Sequence, residues 1–207
     1  MSSLGPALAL FLRIYDTTGV TAVEHAHAET AAMAALHSAD IDLTWQWCAG
    51  GPASRGAVPC VAPASAEVLT IRIVHPSQTG VALGEAYVDT GRARGSLATV
   101  FIDRVHALAD AAGIDRGTLL GRVAAHEVGH LLAGDDRHAA SGLMRARWTA
   151  DALQRNSDRA WTFSPGQARQ LQRRLRERAA DVSPALAVAE PRPAPRPCAR
   201  VVVPCAD

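Results

Sequence analysis

The chain has 207 residues, 48% of them hydrophobic and 20% charged, with a formal net charge of +1. That length suits one domain around a sizeable core rather than two. Nothing in the near-neutral charge argues for nucleic acid as the main partner, and no run approaches the ~20 apolar residues that would span a membrane.

In chain order, the apolar run Ala7–Leu12 lacks a basic lead-in and a cleavage site. It is therefore expected to open a first strand at 10–16. Thr21 and Glu24 have capping-box spacing, and the Ala-rich run that follows predicts a helix to about His37. Ile41, Leu43, Trp45 and Trp47 alternate with polar residues, the period of a half-buried strand. Leu69, Ile71 and Ile73 repeat that period. Two more strands are expected at 84–89 and 98–103, joined by a Gly- and Arg-rich connection, with a helix over part of 104–112. A long helix is expected from about Thr118 to Ala133, with Gly134 as its C-terminal cap. Ser164-Pro165-Gly166-Gln167 opens another helix, Arg-rich, to about Ala180. Abundant alanine and few aromatics predict helices packed closely on small side chains.

A strand, a helix, several strands and then helices describe a mixed α/β or α+β domain. It is expected to occupy residues 1–182, with a Pro-rich tail, extended or disordered, at 183–207. The arginines at 169, 173, 174, 176 and 178 are expected on a solvated helix face. Cys48/Cys60 and Cys198/Cys205 form two sequence-local pairs, each able to close a loop as a disulfide, the first worth roughly 3 kcal/mol. Paired cysteines favour a secreted or periplasmic location, against the missing signal peptide.

The chemistry lies in "AHEVGHLLAGDDRHAASGLM", residues 125–144. His126 and His130 stand one helical turn apart, roughly 5–6 Å between Cβ atoms, and can converge on one ion. Glu127 is placed to reach a water there without being a ligand. Zinc held by three protein ligands keeps an open position and lowers the pKa of a water to about 7. Glu127 would take that proton as general base and hand it to the leaving amine. This helix is expected to be buried on most sides, so its polar groups need partners, and a metal supplies them. Of the later glutamates, Glu177 is on the Arg-rich helix and Glu190 in the tail, so the third ligand is sought just past Gly134, at Asp136 or His138. The five histidines outside the motif, His25, His27, His37, His75 and His106, are expected to be exposed or satisfied.

The stretch resembles the metzincin clan, whose signature is HExxHxxGxxH followed by a methionine-containing turn. His126, Glu127 and His130 match its first half, and Ser141-Gly142-Leu143-Met144 looks like the Met-turn. The clan's glycine position holds Ala133, with Gly134 one later, and its third-ligand position is Asp136. "HEVGHLLAG…RHAASGLMRARW" also resembles a group of small bacterial metzincin-like proteins with the pattern HExGHLLLG…HSxSGIMRAxW, in which the third histidine aligns with His138. "LATVFIDRV" (97–105) and "WTFSPGQA" (161–168) extend that resemblance over roughly residues 10–178, most of the chain.

The resemblance implies a twisted mixed sheet with a backing helix, an active-site helix, a Met-turn and a C-terminal helix. It implies one catalytic Zn2+ on His126, His130 and His138, with Asp136 as the alternative third ligand, and Met144 as an apolar floor. It also implies that Gly84, Glu85, Ala86, Tyr87 and Val88 form an edge strand that aligns an extended peptide by β-addition. The expected protein is a monomeric zinc endopeptidase acting on peptide or protein substrates. The alternative is a zinc-containing domain of the same fold that binds peptides without cleaving them.

Overall fold

The computed structural model describes residues 8–48, 60, 67–155, 158–182 and 199–204. Strand β1 (Leu8–Asp16) leads through helix α1 (Ala22–His37) to β2 (Ile41–Cys48), followed by β3 (Glu67–Val74), β4 (Ala82–Asp89) and β5 (Arg94–Phe101). Helices α2 (Ile102–Ala112), α3 (Arg116–Ala133), α4 (Ala150–Gln154) and α5 (Pro165–Val182) come next, and β6 (Ala199–Pro204) is last. The six strands form one mixed sheet in the order β2-β1-β3-β5-β4-β6. The pairs among β2, β1, β3 and β5 are parallel, whereas β4 runs antiparallel to both β5 and β6.

Local chemistry explains most of these elements. The Thr21 hydroxyl accepts from the Glu24 amide at 3.2 Å and the Glu24 carboxylate accepts from the Thr21 amide at 3.0 Å, so two donors at the start of α1 are satisfied reciprocally. Ser164 and Gln167 do the same for α5, at 3.3 and 2.8 Å. In β2, Ile41, Leu43 and Trp45 are buried while Asp42 and Thr44 are exposed, which gives the sheet one apolar face. Helix α3 lies within the core with almost every residue from Gly117 to Ala133 buried. It ends where Gly134 turns into the left-handed region at φ 72°.

The close packing on small side chains is seen where α1 meets α3. A Cβ at Gly121 would stand 2.1 Å from the Ala28 carbonyl oxygen, and one at Gly117 would stand 2.5 Å from that of Glu24. Backbone cannot yield there as a flexible side chain would. Gly121→Ala is therefore expected to lose stability, although alanine is the better helix former by about 1 kcal/mol. The net loss expected from forcing the helices apart is about 1–3 kcal/mol. Thermal unfolding checks this: the midpoint should fall by several degrees, at ~2–4 °C per kcal/mol for a chain of this size.

Three expectations are corrected. The strand expected at 98–103 ends at Phe101, and Ile102 and Asp103 open α2 instead. Ile102 is buried there, so packing overrides its β-branched preference. Arg178 is not on a solvated face: it is 3% exposed. Its guanidinium donates to Glu67 Oε1 at 2.8 Å, to the Gly95 carbonyl at 3.0 Å and to the Leu131 carbonyl, tying α5 to β3, β5 and the end of α3. The stretch 84–88 is not a free edge, because β6 pairs along its outer side. That strand lies within the Pro-rich tail, which is expected to be extended or disordered. Cys48 and Cys60 are joined in a disulfide with a Cα–Cα distance of 5.6 Å. Cys198 and Cys205 lie outside the described residues.

Candidate metal centre

Two carbonyl groups set the orientation of the α3 histidines. His126 Nδ1 donates to the Leu143 carbonyl at 2.8 Å and His130 Nδ1 donates to the Asp135 carbonyl at 3.1 Å. With the proton held at Nδ1, the lone pair of each ring is at Nε2. Those lone pairs face one another: His130 Nε2 is 3.0 Å from His126 Nε2 and 3.2 Å from His138 Nε2. A tetrahedral ion with bonds of about 2.0–2.1 Å places its nitrogen ligands roughly 3.3 Å apart. The three rings therefore fit the donor set of one zinc ion, with all ligand atoms within 4.8 Å of one another.

Burial favours the ligating, uncharged form of each ring. Desolvation and the neighbouring His130 hold His126 well below the ordinary imidazole range. Burial, reinforced by His138, brings His130 down to about 4. His138 is less buried and is also lowered, chiefly by desolvation, with Asp136 opposing.

Glu127 stands beside this group and is fully buried. Among the described residues neither of its carboxylate oxygens has a hydrogen-bond partner. Burial, with the Glu85 charge adding to it, raises its pKa well above the ordinary carboxylate value. A buried carboxyl with nothing to bond is costly, so its place next to three converging imidazoles calls for a chemical reason. Strand β4 passes close by: a Cβ at Gly84 would lie 2.6 Å from Glu127 Oε1.

The chain beyond α3 closes the site from below. Asp135 is anchored from α5 by Gln170 Nε2 at 3.1 Å, which steadies the turn that delivers His138. Gly142, at φ 78°, turns the chain so that Leu143 reaches His126 and Met144 packs against α3. Met144 is 4% exposed, and a Cβ at Gly129 would lie 2.5 Å from its sulfur. Trp148 is fully buried and meets His126 edge to face, with ring centroids 5.6 Å apart. A cavity of about 110 Å³ opens beside His138 among Gly129, Met144, Phe163 and Leu171.

The structure thus brings together His126, Glu127, His130, His138 and Met144, and leaves Asp136 exposed and outside the three-histidine group. Gly84 is at Glu127, Glu85 is buried and Tyr87 half-buried, and the backbone of 84–88 is paired on both sides. Four of the remaining histidines sit near acids: His25 by Asp16, His27 by Asp115, His75 by Asp103 and His106 by Glu24. His37 is exposed. Sequence reasoning missed Trp148 as part of the site and Glu85 as a charge acting on Glu127. Trp148 carried a signal that was not used, since it closes the stretch "RHAASGLMRARW", whereas the action of Glu85 on Glu127 depends on a neighbour distant in the chain.

No protein-family model and no curated protein sequence matches the chain. Among solved structures, the fold is similar to that of archaemetzincin from Methanopyrus kandleri, with a TM-score of 0.53 and 15% sequence identity. The similarity covers 84% of this chain and 99% of that one. At that identity the likeness concerns the mixed α/β fold.

Proposed function

We propose that this chain is a zinc-dependent endopeptidase of metzincin-like construction. The observation that carries the reading is the convergence of three imidazole Nε2 atoms beside a buried carboxyl with no partner. The fold likeness to archaemetzincin supports it. His126, His130 and His138 would hold the ion, and Met144 would floor the site. Zinc so held supplies a Lewis acid, which polarises a peptide carbonyl and lowers the pKa of a water to about 7. Glu127 accepts the proton of the attacking water and returns it to the leaving nitrogen. The Leu143 and Asp135 carbonyls keep His126 and His130 in the ligating tautomer. Strand β4, beside Glu127, would align an extended peptide through main-chain hydrogen bonds only where β6 leaves its outer edge.

The test is cleavage of a broad peptide library by zinc-loaded protein, its loss on chelation and its return with added zinc. Stoichiometric zinc with peptide binding but no cleavage would favour the non-catalytic alternative. Protein that takes up no zinc would overturn both.

Gly84→Ala probes the approach of β4 to Glu127. The added methyl meets Glu127 Oε1 on one side and the Thr99 carbonyl, at 3.0 Å, on the other. It is expected to displace the carboxyl by a good part of an ångström while leaving the histidines in place. Cleavage should fall about 10²-fold with zinc content unchanged, measured by kcat/KM and metal analysis on one preparation.

A further inference from the structure

Strand β4 has a second face beside the metal centre. Successive residues of a strand point to opposite faces. Gly84 abuts Glu127 and so lies on the α3 side, whereas Glu85 and Tyr87 share the other face. There they line a cavity of about 540 Å³ together with Gln78, Gly80, Phe101 and Arg104. Among the described residues Glu85 is the only acid lining it, and at 3% exposure its carboxyl is almost wholly withdrawn from water.

Arg104 belongs to the wall of this cavity. Its guanidinium donates to the Ala82 carbonyl at 2.8 Å and to the Gln78 carbonyl at 2.7 Å, and lies over the Phe101 ring at 4.5 Å. It thereby holds the turn before β4 against the start of that strand. Ala82 is roughly 10 Å along the strand from Glu85, at ~3.3 Å per residue. The cavity is therefore basic at one end and acidic at the other, and the acidic end is the one next to Gly84 and the general base. The pairing of β6 shows which residues of an added strand meet this face. Glu85 stands opposite Val202, and Tyr87 stands opposite Arg200, a basic residue. Opposed residues of antiparallel strands share a face, so a peptide in that register presents alternate residues to the cavity and the others to α3.

We propose that the Glu85 cavity is a substrate subsite for a basic side chain, so that the preferred peptides carry arginine or lysine at a position that pairs with Glu85 or Tyr87. This rests on reading β4 as the strand that aligns substrate. A carboxylate offers about four acceptor positions, so Glu85 can take a guanidinium or ammonium besides its neighbours in the fold. Arginine suits it best, because a planar fork meets a carboxylate with two parallel hydrogen bonds. Long basic side chains bury their methylene stems along apolar surface, which the half-buried Tyr87 ring supplies. Burial strengthens the attraction between opposite charges. An acidic side chain in the same place would meet Glu85 as a like charge and be rejected.

Paired peptides test this on the zinc-loaded full-length protein. Each carries one arginine, walked through an otherwise uncharged sequence, and its control carries citrulline, which keeps the shape and lacks the charge. Cleavage is read as kcat/KM. Binding is read as Kd by titration calorimetry in the Glu127→Gln background, with peptide up to millimolar concentration because the tethered β6 competes in that range. Arginine should exceed citrulline by about 10–100-fold at positions that alternate along the peptide, and by little at those between. Glu85→Gln should bring the ratio to within about 3-fold of one, whereas Glu85→Asp, with the charge on a shorter stem, should keep part of the preference. The ratio is the readout because Glu85 also acts on Glu127, so absolute rates will move in both variants. The proposal is overturned if arginine and citrulline peptides behave alike at every position, or if the preference survives in Glu85→Gln. It is overturned too if no peptide binds at millimolar concentration. Arginine-preferring binding without cleavage by the unmodified protein upholds the subsite and overturns the endopeptidase, whereas cleavage without preference does the reverse.

Discussion

Glu127→Ala is expected to lower peptide cleavage by about 10²–10⁴-fold, the usual contribution of a positioned general base, while zinc content stays stoichiometric. At ~1.4 kcal/mol per decade this is roughly 3–5 kcal/mol of transition-state stabilisation. The separation of the two readouts follows from the structure. Glu127 is not in the three-histidine group, and the carbonyls that orient His126 and His130 belong to Leu143 and Asp135. Removing the carboxyl therefore leaves the ligands and their supports intact. Glu127→Gln is the companion variant, keeping the shape and removing the proton acceptor, and it should lose as much activity. Loss of zinc along with activity would show that Glu127 shapes the metal site itself. Undiminished cleavage would remove it from the chemistry.

The parts of this molecule that could be read from residue order are those whose cause is local. The Thr21–Glu24 box, the alternation in β2 and β3, the Gly134 stop and the spacing of His126 and His130 depend on neighbours a few positions away. What could not be read depends on partners far along the chain. Arg178 belongs to a charged run and looks like surface until Glu67, Gly95 and Leu131 are brought to it. "ARVVVP" has strand-forming valines, but it lies within proline-rich sequence and is short. Only the unpaired side of β4 makes a strand of it. Glu127 is intermediate: its motif places it beside the histidines, but the isolation of its carboxyl comes from α3 being buried on all sides, with β4 close against it.

His138→Ala is expected to weaken zinc binding by more than about 100-fold, whereas Asp136→Ala should leave it nearly unchanged. Only Arg137 lies between these positions, and the clan's motif spacing points to the aspartate whereas the small bacterial group's pattern points to His138. The turn decides between them. The chain leaves α3 at Gly134, and the Asp135 carbonyl is drawn back to His130 Nδ1 while its side chain is held by Gln170. With Asp135 pinned on both sides, Asp136 projects to solvent and His138 returns to within 3.2 Å of His130 Nε2. Losing a hydrogen-bond partner behind a ligand costs ~10–100-fold in metal affinity, so losing the ligand itself should cost more. The Asp136 carboxylate favours the protonated form of His138, so its removal should, if anything, ease metal binding as the pH falls. Competition with a chromogenic chelator on each purified variant measures the affinities directly. A large loss for Asp136→Ala with little change for His138→Ala would reverse the assignment and place the shorter spacing at the metal.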